Sequence, residues 1–324
     1  MKRLTVMGVV VFVLMLCAAC TSGDENEVIE DDIHPSLKIA EGFTFDNYPK
    51  VDGSTSTEPL NILIACKLLG FKYQWESEYG AWKIEPVIRN VVNSMYFWRL
   101  IRTSQTHQSF INLIDRKADL ILTARAMSPD EKAYADASGV RLIETPIALD
   151  AFIFIVNPSN PITTLTIKQI QDIYTGKMTN WNEAGGTNTA IIPYVRNANS
   201  GSQEIMESLV MNGLEIDDFL ESPEILYSMV PVFEKVDSVW DSISYTLYYF
   251  KEYILRGWRV KTLAIDGIHP DKESIGNKSY PLVAEVYAVI RSDLDPSSTA
   301  YTLYELLQTE TGKQLIRESG YVPY

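Results

Sequence analysis

The chain has 324 residues, a formal net charge of −14 and an apolar fraction of 46%. That length suits two ordinary domains or one bilobed one, and the composition excludes a disordered or fibrous protein. The acidity, without any basic run or basic–aromatic stripe, argues against nucleic acid as a partner. It leaves anion binding open, because local backbone dipoles and one or two arginines outweigh distant, screened carboxylates.

In chain order, Lys2 and Arg3 precede an apolar run from Leu4 to Leu16. The run is too short for a comfortable membrane span and suits a signal-peptide core. Ala18 and Ala19 then place small residues before Cys20. This arrangement resembles a bacterial lipobox. It implies that residues 1–19 are a signal peptide and that lipid on Cys20 holds the chain in the cell envelope, periplasmic or at the cell surface. Cys17 stands where such motifs usually carry Leu, so an ordinary cleaved signal with a stray cysteine is the alternative. The acidic stretch after Cys20 reads as a flexible tether, residues 20–46. Only Cys66 then remains, and it is expected to pack as a core thiol without a disulfide.

A short strand near Val51 feeds the loop "DGSTST", Asp52 to Thr57, and a helix over Glu58–Leu69. Pro59 suits the first helical turn, where no backbone N–H is needed, and Gly70 stops the helix. Leu60, Leu63, Ile64 and Leu68 fall on one face. The spacing predicts further helices over Gln105–Arg116, Ile167–Tyr174, Ser202–Met211 and much of Ser298–Ser319. Ala118–Ala124, Ala151–Asn157, Ala190–Val195 and Val283–Arg291 read as strands. This alternation predicts an α/β fold with mixed, mostly parallel sheets.

Such sheets place ligand sites where strand ends meet helix N-termini. There, unpaired N–H groups sit at the positive end of the helix dipole. Ser54, Thr55 and Ser56 add donors without charge and, with Gly53, suit a small oxyanion. Helix capping alone also explains this loop taken singly. The design recurs at "RNANSGSQE", where Arg196 precedes Ser200, Gly201 and Ser202. An arginine fork there adds charge-assisted, bidentate hydrogen bonds. A surface arginine beside a capped helix is the plainer alternative. A third junction puts Thr106 at a helix start and Arg125 just beyond a strand end.

The segments "DGSTSTEPL", "ADLILTARAMSPDE", "LTIKQIQDIYTGKMTNW", "RNANSGSQE", "YPLVAEVYAVIR" and "TGKQLIRESGYVPY" follow one another in this chain. From about Val51 to the C-terminus the sequence resembles phosphate-binding proteins of ABC transporters. The resemblance implies a two-lobed periplasmic-binding-protein-like fold, type II, with the ligand closed between lobes. Lobe 1 is expected over 47–149 plus 283–324, and lobe 2 over 150–282. It implies inorganic phosphate as ligand, ABC transporter permease subunits as partners, and a monomer attached to the membrane through Cys20. It implies no cofactor, no metal and no catalysis. The phosphate contacts it implies are Ser54, Thr55, Ser56, Thr106, Arg125, Arg196, Ser200, Gly201 and Ser202. Arg125 occupies a position where the best-known phosphate receptors have Asp, so the acceptor for the phosphate proton must come from elsewhere or be absent. Asp52 and Glu204 are the candidates, although a helix-dipole partner or solvated loop acid is the plainer reading of each.

The aromatic-rich stretch from Lys72 to Ile101 departs from the family pattern and is expected to pack locally, with a partner surface as the alternative. Other oxyanions, sulfate or an organic phosphate, remain alternative ligands. A surface adhesin or sensor on the same scaffold is a second class of function. A hydrolase is a third, but His34, His107 and His269 show no Ser–His–acid arrangement, no G-x-S-x-G elbow and no metal-ligand spacing.

Overall fold

In the computed structural model the described residues are 32–217, 226 and 228–324. The signal segment and Cys20 lie outside them. The strands are β1 (Val51–Gly53), β2 (Tyr73–Glu78), β3 (Ala81–Pro86), β4 (Leu120–Thr123) and β5 (Leu142–Val156). They continue with β6 (Thr164–Leu165), β7 (Ile192–Pro193), β8 (Ser242–Leu247), β9 (Lys261–Thr262), β10 (Ala264–Ile265), β11 (Val283–Arg291) and β12 (Val322–Pro323). The helices used below are α1 (Glu58–Leu69), α2 (Val91–Leu100), α3 (Thr106–Ile114), α4 (Pro129–Ala137) and α5 (Ile167–Tyr174). After them come α6 (Gly201–Ile205), α7 (Met229–Ser238), α8 (Lys272–Gly276), α9 (Thr299–Leu306) and α10 (Glu310–Ser319).

The central sheet runs β1–β4–β11–β5–β8–β7, with β12 and β9 also pairing with β5. β1 pairs parallel with β4, and β7 parallel with β8. These two pairs carry the site loops. The joining strands are antiparallel, β11 with β4 and β5, and β5 with β8. Parallel pairing is therefore a property of the two ends of the sheet, and the expectation of mostly parallel sheets does not extend to its middle. The physical reason is the return of the chain through β11, which lies against β5 from Val283↔Ala151 to Arg291↔Leu142.

β5 changes partner within one residue step. It pairs with β11 up to Ala151 and with β8 from Phe152 onward. Phe152 N–H donates to Leu282 O at 2.8 Å, so both chain crossings meet here. Asp150 is buried at this point, and its Oδ1 accepts from Ala151 N (2.7 Å) and Tyr249 N (3.0 Å). Tyr249 stacks on Tyr321 at 3.7 Å between centroids. Burial raises the Asp150 carboxyl to about 7, against the two amide hydrogen bonds that favour its ionised form.

α1 has the bounds its pattern predicts, but it is buried nearly all round rather than on one face. Leu60, Leu63, Ile64 and Leu68 are at most 1% exposed. Each such side chain contributes roughly 1.5–3 kcal/mol by leaving water. Gly70 ends the helix at φ 88°, and its N–H donates to Cys66 O at 2.8 Å. Cys66 is fully buried, as expected, and burial pushes its thiol up.

Two segments correct the sequence reading. Residues 32–46 are not tether: Asp32 and Phe43 are buried, Phe45 packs on Phe71 at 5.7 Å between centroids, and His34 N–H donates to Gly70 O at 2.7 Å. Acidic composition hid two aromatic anchors and one capping aspartate. The stretch 72–101 packs only in part, through Ile84 and Phe97, and leaves Tyr79, Val91, Met95 and Trp98 exposed; it also forms the β2–β3 hairpin, turned by Tyr79 and Gly80 at φ 50° and 82°. The hairpin reaches the far side of the fold, where Arg256 lies over the Trp82 ring at 3.4 Å and Trp75 meets Tyr253. The predicted Ser298–Ser319 helix is two helices, α9 and α10, because Thr309 caps Gly312 and starts a new one.

Candidate functional site

A cavity of about 560 Å³ opens between the β1–α1, α3 and β7–α6 junctions. Ser54, Thr55, Ser56 and Thr106 line it from one side, and Arg196, Ser200, Gly201 and Ser202 from the other. Eight of the nine residues expected at an oxyanion site thus face one space. Arg125 is the exception.

The first side is built by close backbone packing. A Cβ on Gly53 would sit 2.5 Å from Leu122 O, so β1 can lie against β4 only with glycine there. Ser54 follows, its N–H donating to Leu122 O at 3.0 Å. Its Oγ accepts from Ala124 N (3.1 Å) and shares a hydrogen bond with Thr106 Oγ1 (2.9 Å). The helical turn at Thr55–Thr57 has no side-chain cap, and neither has α3, which begins at Thr106. Two uncapped N-terminal turns therefore point amides at one cavity. Gln105, at φ 70°, bends the chain into α3.

The second side is held by a buried network. Arg196 is 8% exposed. Its backbone N–H donates to Tyr245 Oη (3.0 Å) and Gln203 Oε1 (3.1 Å), and Tyr245 also donates to Gln203 Oε1. Its Nε donates to Leu226 O at 2.6 Å. Nη1 reaches Ser202 Oγ at 3.4 Å and touches Met229 Sδ. No carboxylate among the described residues pairs with it, and burial pulls its guanidinium down to about 10. Ser200 caps α6 through Gln203 N at 3.2 Å. A Cβ on Gly201 would lie 2.5 Å from Thr106 Oγ1, so the two sides meet here at backbone distance. α6 continues into a π-helical turn, Met206–Met211, a form common beside functional sites.

Arg125 is buried beneath the first side rather than on the cavity wall. Its Nη1 and Nη2 donate to Glu131 Oε2 (2.7 Å) and Oε1 (2.8 Å). His107 Nδ1 lies 3.0 Å from the same Oε1, and Ser128 N–H donates to Oε2 at 2.8 Å. Sequence reading missed Glu131, although S-x-x-E at Ser128 is a capping-box signature and forms one here. It missed Tyr245 and Gln203 as well, which carry no local signal.

Neither candidate proton acceptor lines the cavity. Asp52 is fully buried and saturated by Gly53 N (2.8 Å), Ser104 N (2.9 Å) and Asn112 Nδ2 (2.7 Å). It organises the loop from behind. Glu204 lies on α6; burial raises its carboxyl, and the charge of Arg125 pulls it back. Among the described residues no Asp or Glu lines the cavity; the polar lining groups are hydroxyls, amides, the Arg196 guanidinium and the His107 ring.

A family model described as a PBP superfamily domain matches residues 46–307. The chain is 28% identical over 184 residues to the phosphate-binding protein PstS of Borreliella burgdorferi, covering 55% of this chain and 65% of that protein. It is 23% identical over 194 residues to PstS of Bacillus subtilis, covering 60% and 61%. The matches span just under two thirds of these relatives. A phosphate ABC transporter substrate-binding protein from Clostridium perfringens, solved with bound phosphate, superposes at TM-score 0.60 and 20% identity over 85% of this chain and 98% of that one. An ABC-type phosphate transport receptor from Vibrio cholerae gives 0.59 and 22% over 84% and 98%. These two likenesses establish the two-lobed fold. With the family model covering most of its length, the chain belongs to the PBP superfamily.

Proposed function

We propose that this chain captures inorganic phosphate between two lobes and hands it to the permease subunits of an ABC transporter. The observation that carries the reading is Arg196, a buried cation with no carboxylate partner among the described residues, set in a cavity of hydroxyls and uncapped helix starts. A buried charge needs a counter-charge. An oxyanion supplies it and accepts from the surrounding donors at once. The relatives named as phosphate-binding proteins support the same ligand. Lobe 1 comprises 47–149 plus 283–324 and lobe 2 comprises 150–282, with closure about the step at Ala151–Phe152.

Ser54, Thr55, Ser56, Thr106, Arg196, Ser200, Gly201 and Ser202 contact the phosphate. Arg125 acts one layer behind, holding Glu131 and through it His107. With no carboxylate of the described residues on the wall, a hydroxyl oxygen accepts the phosphate proton, since Ser and Thr both donate and accept. Such a site rejects sulfate less strongly than one in which sulfate faces a buried carboxylate. A hydrolytic role finds no support in His107, because its ring bonds Glu131 and no hydroxyl among the described residues hydrogen-bonds it. Cys20 carries the lipid.

Calorimetric titration with phosphate and, in separate runs, with sulfate tests the reading. One saturable phosphate site, with sulfate weaker but measurable, is the expected outcome. Heat from neither anion would remove oxyanion capture altogether.

A further inference from the structure

α2 presents two unlike faces. Asn93 and Phe97 are buried, and Phe97 packs edge-on against Phe71 at 5.7 Å. Opposite them, Val91, Val92, Met95 and Trp98 are 73%, 43%, 54% and 40% exposed. Positions 91, 95 and 98 recur at i, i+4 and i+7 and make one stripe. Scattered exposed apolar side chains are ordinary, but a contiguous stripe ending in Trp marks an interaction face. Arg89, Arg99 and Arg102 are exposed in and around the same helix, and no acidic residue occurs from Val87 to Thr106. In a chain of net charge −14 that is a local reversal of sign.

The chain outside the described residues joins at this helix. The Asp32 carboxylate accepts from Arg89 N (3.0 Å) and Asn90 N (2.8 Å), which fixes residue 32 at the N-terminus of α2. Cys20 lies upstream within at most about 40 Å of fully extended chain.

We propose that the exposed face of α2 docks on an anionic lipid bilayer, seating lobe 1 on the membrane to which Cys20 is anchored. The proposal rests on the lipid-anchor reading given above. Val91, Met95 and Trp98 enter the boundary between headgroups and acyl chains, while the arginines reach the lipid phosphates. Trp favours this interfacial depth. The short tether keeps the helix at high local concentration beside the surface, so weak contacts suffice.

The test uses full-length protein in equimolar phosphatidylcholine–phosphatidylglycerol vesicles whose acyl chains are brominated. Quenching of tryptophan fluorescence reports contact, and Trp98→Phe isolates Trp98 among the six tryptophans. Most of the quenching is expected to vanish in Trp98→Phe and in Met95→Glu. In the chain without lipid, each arginine changed to Gln lowers binding to these vesicles by about five-fold. Unchanged phosphate affinity in these variants shows that the fold is intact. Equal quenching in wild type and Trp98→Phe overturns the proposal. The mass of the N-terminal peptide reports the lipid on Cys20 separately. Should that lipid be absent, co-sedimentation of the full chain with the same vesicles decides: loss on Met95→Glu upholds docking, and no sedimentation of wild type refutes it.

Discussion

Arg125 and Arg196 are buried to nearly the same degree, 7% and 8% exposed, and they do opposite things. Arg125 meets Glu131 in a bidentate pair and is neutral as a unit. Arg196 is held by a backbone carbonyl, a hydroxyl and a thioether, none of which carries charge. Burial of an arginine is therefore not what marks a ligand contact here. On the proposed reading, what marks it is burial with no counter-charge among the described residues and the guanidinium open to a cavity. On that reading the paired arginine belongs to stability and Arg196 to binding.

That division can be broken by mutation, with the largest effect expected at the paired site. Glu131→Ala leaves Arg125 buried without its counter-charge, with only Ala126 O as a partner, and should lower unfolding free energy by about 3–5 kcal/mol. Denaturant unfolding measures this, and a loss below 1 kcal/mol would erase the distinction. Arg196→Met should invert the pattern. Phosphate affinity should fall by about 2–5 kcal/mol, as when a buried charge-assisted contact is truncated. Stability without phosphate should change little, because the hydrogen bond lost to Leu226 O, worth about 1.5–3 kcal/mol for a charged donor, is offset by removing a buried charge that has no counter-charge among the described residues. Comparable losses of stability in both variants would show that the two arginines share one role.

Gly201→Val probes the closed geometry that lets Arg196 share a cavity with Ser54. Its side chain meets Thr106 Oγ1, and overpacking of this kind costs about 1–3 kcal/mol, here in phosphate affinity. Thr106 is itself a proposed phosphate contact, so if closure is the cause, the double variant with Thr106→Ala should lose less affinity than the sum of the two single losses. Additive losses in the double variant would place the defect elsewhere.

Asp150 extends the comparison to an anion. Its Oδ1 has two amide donors, while its buried Oδ2 has no hydrogen-bond partner. Its carboxyl is raised from the ordinary aspartate value near 4 to about 7, so over that interval the folded state holds a proton that the unfolded chain has released. Its contribution therefore makes stability fall as pH rises from about 4 to about 7, and level off above. Asp150→Asn keeps an acceptor for both amides and should flatten this part of the profile. An unchanged profile in the variant would assign the slope to other groups.

The fold was legible where a pattern is local. Glu58–Leu69, Ile167–Tyr174 and Val283–Arg291 have the predicted bounds, because caps, glycine stops and apolar runs are written within each segment. The loops with Ser54 and Ser200 were legible for the same reason. The partner of Arg125 was written nearby in "SPDE", but a capping box announces a helix start and not an ion pair. The network behind Arg196 was not legible, since Tyr245 and Leu226 come to it from distant parts of the chain. Nor was the saturation of Asp52, whose partners Ser104 and Asn112 belong to another junction. Whether a charged side chain is neutralised depends on tertiary contacts, and at both arginines that fact separates structural from ligand-binding roles.

The most direct test is a crystal structure of the chain grown with phosphate. The arrangement described here predicts phosphate in the cavity, with oxygens in hydrogen-bond reach of the Arg196 guanidinium, Ser54 and Thr106, and the Arg125–Glu131 pair intact. Phosphate bound instead to Arg125, with Glu131 displaced, or found away from Arg196, would contradict it.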